Sequence, residues 1–261
     1  MKVSIITTTL NSQKTIETTI LSILNQTYKN IEYIIIDGCS SDETLNIVYK
    51  YNKDISYINS SKDINLYDAM NKGIDVSSGD IIGIVNSDDF LEPDAVEKIV
   101  NFFLKYNCLA VHGNLRVVNE FCEKGEILRP RNYKFAKYIS LPIYHPTLFV
   151  KKNIYKTIGK FNIIYPHLAD YDFYLRVINN NEKVLYLNAL ISNMRIGGIS
   201  DRVSNFSNLM IESFKIKINN NLNFSFSVFG TLIHILRFKI YRIIKYLRLN
   251  VIIKFYRKLK Y

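Results

Sequence analysis

Two neighbouring carboxylates, in Asn86-Ser87-Asp88-Asp89, directly follow the most apolar strand-like stretch of the chain, Asp80-Ile81-Ile82-Gly83-Ile84-Val85. Like charges side by side at the edge of a buried sheet resist ionising together unless a cation or several donors compensate. Hard divalent ions such as Mg2+ and Mn2+ take oxygen ligands and keep positions open for substrate phosphates. Because successive side chains on an extended segment point to opposite sides, one aspartate is expected to hold an ion and the other to do something different. An Asp-Asp before a helix also serves as a solvated turn or a cap. Asp37, in Asp37-Gly38, and Asp63, in Ser60-Ser61-Lys62-Asp63, are further loop carboxylates that singly read as ordinary turn residues.

The elements that must position them alternate strand and helix. Val3–Thr9 is β-branched and apolar, and a helix over Thr15–Leu24 follows, with apolar residues at 16, 20, 23 and 24. Ile31–Ile36 reads as a second strand running into Asp37, with Ser40 or Ser41 expected to cap the next helix and Asp42 and Glu43 in its first turn. A weak strand at Ile55–Ile58, a helix over Leu66–Val76, the strand to Val85 and a helix at about 94–106 continue the pattern. Near-continuous apolar strands alternating with helices predict an α/β fold, a doubly wound, mostly parallel, Rossmann-like sheet covered on both faces. Ligands bind such sheets outside the carboxyl ends of the strands, which points to Thr9-Leu10-Asn11, Asp37, Asp63 and Asn86–Asp89. Farther on, 110–116 and 126–131 read as strands or loops, Pro142–Val150 as a turn and strand, Asp170–Asn179 as a helix and Val184–Leu190 as a strand.

Several segments together carry a resemblance. Val3–Asn11, Ile34–Thr44 with Asp37-Gly38-Cys39-Ser40-Ser41-Asp42, Asp63–Ile74 and Gly79–Asp89 closely resemble family 2 glycosyltransferases of the GT-A fold. The likeness continues through His145-Pro146-Thr147, Gly159-Lys160-Phe161, Ala169-Asp170-Tyr171-Asp172 and Gly197-Gly198-Ile199-Ser200, covering roughly residues 2–205. The resemblance implies that Thr7, Thr9, Asn11 and Asp37 bind base and ribose, with Asp63 completing the base pocket. It implies that Asp88 meets ribose or metal, that Asp89 is the metal ligand, and that Asp170 is the general base. His145, Arg195 and Ser200 would line the acceptor or diphosphate side. The chain departs from the family pattern at Asn86, where an Asp is commoner, at Asn65, where many relatives have Gly, and at Met70, where some have Arg.

The chemistry such a family performs explains the residue types. Moving a sugar from a nucleoside diphosphate to a hydroxyl needs a divalent metal, Mn2+ or Mg2+, to take up charge on the leaving diphosphate. It also needs a carboxylate to deprotonate the acceptor, a contribution of about 10²–10⁴-fold. A single displacement inverts the anomeric centre. Donor and acceptor would be a nucleoside-diphosphate sugar, with UDP the family expectation, and a glycan or lipid-linked hydroxyl of bacterial surface-polysaccharide assembly. The competing reading is a non-catalytic nucleotide-sugar-binding subunit that docks a partner transferase. A dehydrogenase or kinase is disfavoured because neither G-x-G-x-x-G after a strand nor G-x-x-x-x-G-K-[ST] is present.

Composition bounds the rest. With 261 residues, 48% hydrophobic and 22% charged, a disordered scaffold is excluded. Cys39, Cys108 and Cys122 fit neither a disulfide framework nor a C-x-x-C site, as expected of a reducing compartment. No secretory leader is visible at the N-terminus, and no apolar run approaches bilayer length. The formal net charge of +11 sits entirely after Glu212, where eleven Lys and Arg occur with no acidic residue. Ile240, Ile243, Ile244, Leu247 and Val251 would share one helical face and Arg242, Lys245 and Arg248 another. This tail reads as a basic amphipathic helix that either lies on the inner face of the cell membrane or packs on the body. No nucleic-acid module accompanies the charge, so nucleic acid is not an expected partner. The expected organisation is a nucleotide-sugar part at 1–105, an acceptor and catalytic part at 106–212, and the basic tail at 213–261, with Asn219-Asn220-Asn221 as linker.

Overall fold

A computed structural model describes residues 1–119, 122, 124–130, 133–180, 183–196 and 206–246. In chain order the elements are β1 (Val3–Thr9), α1 (Ile16–Leu24), β2 (Ile31–Asp37), α2 (Thr44–Tyr49), β3 (Tyr57–Ser60), α3 (Leu66–Val76), β4 (Ile81–Ile84), β5 (Phe90–Leu91) and α4 (Ala95–Lys105). They continue with β6 (Ala110–Val118), β7 (Lys124–Leu128), α5 (Tyr133–Ala136), a 3₁₀ turn (His145–Thr147), β8 (Phe149–Lys151), α6 (Asn153–Thr157), α7 (Ala169–Asn179), β9 (Val184–Arg195), α8 (Phe206–Asn219) and α9 (Phe224–Tyr246).

One sheet runs in the order β3-β2-β1-β4-β8-β6-β9-β5, with β7 on the edge of β6. Its first four strands are parallel, with Val3 opposite Ile31 and Ile81, and Thr9 opposite Asp37. Beyond β4 the sheet is mixed rather than mostly parallel, because β8, β5 and β7 all pair antiparallel. Period-two alternation splits the strands between two cores. Ile6, Ile34 and Ile36 face α3 and α7, whereas Val3, Ile5 and Ile35 face α1 and α4. Each fully buried Ile or Val contributes about 1.5–3 kcal/mol of apolar burial, so both faces hold the strand ends in place. Gly73 brings α3 close against β1: a Cβ there would lie 2.4 Å from Ile6 Cγ2.

Local capping departs from expectation at one point. Ser40 and Ser41 do not cap α2, because their hydroxyls and amides are spent on Asp37 and Asn11. The helix starts at Thr44, whose N–H and hydroxyl both donate to Asp42, at 3.0 and 2.5 Å. α3 is capped by Asn65, which accepts from Tyr67 N and Asp68 N and donates to Ile163 O at 2.9 Å. A glycine could do neither, which accounts for Asn at this departure from the family pattern. Met70 is buried in the core beneath.

Asn219–Asn221 is no loose linker. Asn220 is buried and donates to Asp172 Oδ1 at 2.9 Å, and Asn219 donates to Tyr165 OH at 2.7 Å. Asn221 takes a positive φ of 56°, tolerated by Asn, and turns the chain into α9. The expected boundary at 213 falls inside α8. α9 sits on the body where Gly230 meets the Tyr138 carbonyl; a Cβ would be 2.0 Å from that oxygen. Among the described residues no helix is long and apolar enough to cross a membrane. The side chains of Arg242, Ile243, Ile244 and Lys245, and Leu247, Arg248 and Val251 entirely, fall outside what is described.

Candidate active site

The carboxyl ends of β1 and β2 form the first part of the site. Asp37 closes β2 fully buried, and its oxygens accept from Ser40 N (3.0 Å), Ser40 Oγ (2.5 Å) and Ser60 Oγ (2.7 Å). One donor on Oδ1 and two on Oδ2 fix the loop around this carboxylate. Thr7 is likewise turned inward, fully buried with its hydroxyl accepting from Tyr33 OH at 3.2 Å. Direct nucleotide contact by Thr7 therefore has no support in this geometry; the alternation of β1 points it into the core. Thr9 differs: its hydroxyl is buried at the strand end without a hydrogen-bond partner. Asn11, at φ 51°, is exposed and accepts from Ser41 N at 2.8 Å, tying the two loops together. Asp63 lies over Gly38, its Oδ2 only 3.0 Å from where a Cβ at 38 would stand, and is held by Lys72 Nζ at 2.6 Å.

The acidic turn after β4 sits beside these ends. Asn86 accepts from Thr8 Oγ1 at 3.3 Å, Ser87 Oγ meets Ser12 Oγ at 2.8 Å, and Thr19 Oγ1 donates to the carbonyls of Ser87 and Asp89. Asn86, in place of the commoner Asp, thus fastens the turn to β1. Asp89 is only 2% exposed, and its Oδ1 has no hydrogen-bond partner. Burial, with the negative charge of Asp88 adding to it, raises its pKa well above the carboxylate range. Burial also raises Asp88, against the pull of Arg195. Arg195, at the end of β9, donates to the Asp88 carbonyl at 2.7 Å and to Cys122 Sγ at 3.1 Å, and lies over the Phe90 ring. It braces the acidic turn; a phosphate contact would have to share its guanidinium. An orphaned, buried carboxylate oxygen next to a second carboxylate fits a hard cation. Among the described residues no three His, Cys, Asp or Glu gather as a self-sufficient metal cage. The fit is therefore to an ion held by Asp89, with Asp88 beside it, and completed by substrate oxygens.

The third part is built by α7, α3 and the 3₁₀ turn. Asp170, in the first turn of α7, accepts from Tyr67 OH at 3.0 Å and from Tyr171 N at 2.9 Å. Tyr67 heads α3; burial first, and then the charge of Asp170, push its pKa well up, so it stays a proton donor. His145, in the 3₁₀ turn before β8, packs edge-on against Phe161 at 5.7 Å between ring centroids. His145 Nε2 is buried without a partner, and burial lowers its pKa against the opposing charge of Asp170, leaving a neutral imidazole. Asp63 and the Asp88–Asp89 pair follow β3 and β4 at the carboxyl ends of the parallel strands, and Asp170 bonds to Tyr67 at the start of α3, the helix that leaves β3 at that end, with His145 within reach of its charge. Ser200, with Gly197-Gly198, lies outside the described residues. Sequence reasoning missed Tyr67, although it stands inside the Asp63–Ile74 motif, and Glu212, which no local pattern marks.

The profile of glycosyl transferase family 2 matches residues 4–180. A protein of Haemophilus influenzae named only as an uncharacterized glycosyltransferase is 30% identical, over 76% of this chain and 80% of its own. A PGL/p-HBAD biosynthesis glycosyltransferase of Mycobacterium bovis is 28% identical over 77% of this chain and 79% of its own. The UDP-Glc:alpha-D-GlcNAc-diphosphoundecaprenol beta-1,3-glucosyltransferase WfgD of Escherichia coli is 26% identical over 69% and 70%. Among solved structures, TarS 1-349 of S. aureus in complex with UDP-GlcNAc superposes with a TM-score of 0.68 at 18% identity, covering 90% of this chain and 72% of that one. The mannosyltransferase PcManGT of Pyrobaculum calidifontis, in complex with GDP-Man and Mn2+, reaches 0.66 at 17% identity, over 90% and 70%. The mixed sheet with its acidic turn after β4 is the GT-A fold, and the chain belongs to glycosyl transferase family 2.

Proposed function

We propose that this chain transfers a sugar, with inversion, from a UDP-sugar to a hydroxyl of a glycan or lipid-linked acceptor. One observation carries the reading: Asp89, in the turn after β4, is a buried carboxylate with a free oxygen, while Asp170 is a separately held carboxylate bonded to Tyr67 at the start of α3. A divalent cation bound there, Mn2+ or Mg2+, would supply Lewis-acid charge for the departing diphosphate. Asp63 and Thr9 offer polar groups to the nucleoside, and Arg195 fixes the turn that presents Asp88 and Asp89. Asp170 takes the acceptor hydroxyl's proton as the sugar carbon is attacked from the face opposite the diphosphate. Tyr67 has a single hydroxyl proton within 3.0 Å of both Asp170 Oδ1 and the His167 carbonyl. It donates to the ionised carboxylate and can turn to the carbonyl once Asp170 is protonated.

The UDP donor is supported by the names of the Escherichia coli and S. aureus relatives, and Mn2+ by that of the Pyrobaculum calidifontis structure. A diphospho-lipid acceptor, hence a role in surface polysaccharide such as capsule or lipopolysaccharide, is supported by the acceptor in the Escherichia coli name. α9 suits such a substrate. Phe226, Phe229, Leu232, Leu236 and Ile240 are exposed along one stripe, flanked by Arg237 and Lys239. This face would rest on anionic lipid at the cytoplasmic side of the membrane. Calorimetry with UDP and Mn2+, paired with a transfer assay, tests the core of the proposal. Asp170→Asn should bind UDP as wild type does while transfer falls at least 10²-fold; undiminished transfer overturns the base assignment.

A further inference from the structure

The first turn of α7 lacks an ordinary cap. Its N-cap residue is Leu168, which has no side-chain acceptor, so the donors at this helix start need another partner. The partner comes from α8. Glu212, 8% exposed, accepts through one oxygen, Oε1, from His167 N at 3.0 Å and Leu168 N at 2.7 Å. The peptide unit joining His167 to Leu168 is thus held by Glu212 through its N–H, and its carbonyl stands 3.0 Å from the Tyr67 hydroxyl as the second acceptor for the one proton that Tyr67 gives Asp170. Two residues farther on stands Asp170, whose carboxylate meets the same Tyr67 hydroxyl.

We propose that Glu212 is a positioning residue for the reaction: from the C-terminal helix pair it fixes the His167–Leu168 peptide, and so sets where Asp170 meets Tyr67 and the acceptor hydroxyl. The inference rests on Asp170 being the general base. It adds that the base is aimed by a buried carboxylate from a distant helix, acting as a hydrogen-bond acceptor. An error of about 1 Å in a reacting group costs up to about 10²-fold in rate, which is the scale of effect at stake. Donor binding, which uses the β1, β2 and β4 ends, should be untouched.

Two substitutions in the full chain separate acceptor geometry from charge. Glu212→Gln keeps an oxygen in reach of both amides without the charge; Glu212→Asp keeps the charge one methylene short. Measurements are UDP release from UDP-glucose with a synthetic polyprenyl-diphosphate-GlcNAc acceptor, calorimetric UDP affinity with Mn2+, and amide hydrogen exchange across residues 165–172. The expected result is that E212Q keeps kcat within about threefold and wild-type exchange. E212D should lose 10- to 100-fold in kcat, with UDP affinity within twofold and faster exchange at 167 and 168. Wild-type kcat and exchange in E212D, or equal impairment of E212Q, overturns the proposal, and a lowered Tm with unchanged kcat marks a merely structural role. An Asp170→Asn control that retains turnover would refute the base assignment instead. The exchange arm decides the hydrogen-bond role whatever donor is turned over.

Discussion

Replacing Asp89 by Asn should make the metal-free protein more stable while removing its response to cation and nucleotide. Asp89 is 2% exposed with an unpartnered Oδ1 and has Asp88 as its neighbour. Like charges on adjacent side chains in an effective dielectric near 20 repel by about 2–4 kcal/mol. Asn leaves an unpartnered polar atom at the same place, so the gain comes from removing the charge alone. The folded protein escapes part of this repulsion by holding a proton, the meaning of the raised pKa. A net gain of about 2 kcal/mol for D89N is therefore expected, or about 4–8 °C in Tm for a chain of this size. Wild type with UDP and Mn2+ at a hundredfold above Kd should gain about 2.7 kcal/mol, whereas D89N should gain nothing. The linkage has a definite sign. The folded state binds a proton that the unfolded state releases near pH 4, so wild-type stability should fall as pH rises from about 4 through the raised value. D89N should lack this slope. Thermal unfolding against pH, with and without Mn2+ and UDP, reads all three effects. A metal-free D89N protein less stable than wild type by 1 kcal/mol or more, or one keeping the full Mn2+-dependent UDP shift, would refute the reasoning.

Two further predictions concern the C-terminal helices. Lys217 is buried in α8, donating to Thr231 Oγ1 at 3.0 Å, and burial brings its pKa down to about 8. The unfolded chain holds that proton up to about pH 10.4, so stability should rise between about pH 8 and 10.4 and carry the full penalty at pH 7. Lys217→Met should raise stability at pH 7 by about 2 kcal/mol, after allowance for the lost hydrogen bond, and the gain should vanish near pH 10.5 in urea titrations. Replacing Phe229, Leu232 and Leu236 together by Ser should weaken binding to phosphatidylglycerol vesicles at least tenfold, since each side chain stands to bury about 1.5–3 kcal/mol of apolar surface. Co-sedimentation equal to wild type would remove α9 from the membrane.

The parallel half of the fold is legible because its signals are local. Ile31–Ile36 and Ile81–Ile84 are strands by composition, and α3 is bounded by Asn65 and Ser77 as its pattern suggests. The apolar strand read at the end of Pro142–Val150 is β8, whereas the two-residue β5 leaves no such trace, since pairing across the sheet rather than propensity makes it a strand. Asp88, Asp89 and Asp170 stand out in the sequence as candidates by type and place, but the partners of other candidates come only with the fold. Thr7 and Asp37 are spent on Tyr33, Ser40 and Ser60, and only the fold shows it. Tyr67 reaches Asp170 across 103 residues and Glu212 reaches His167 across 45, beyond any local pattern. On α9, packing of Gly230 against Tyr138 selects which stripe faces out, and a helical wheel of the isolated segment does not contain that choice.

The two ends of the site divide the chemistry through their surroundings. Asp89 is crowded by a like charge and left without a donor on one oxygen, a setting that rewards a divalent ion and resists an empty ionised state. Asp170 receives a hydroxyl from Tyr67 and a main-chain N–H from Tyr171, with His145 held neutral nearby, a setting that accepts and returns a proton without a metal. Placing opposite demands on similar side chains is how one site can hold both an ion and a base. If that division is right, exchanging the roles should fail in either direction. Asp89 is ill suited as base because it is buried, one of its oxygens lacks a donor and its charge is opposed by Asp88. Asp170 cannot hold the ion because its oxygen is already aimed at Tyr67. The double variant Asp89→Asn/Asp170→Asn should then show the sum of two independent losses, absent cation-dependent UDP binding and absent transfer, with no compensation between them.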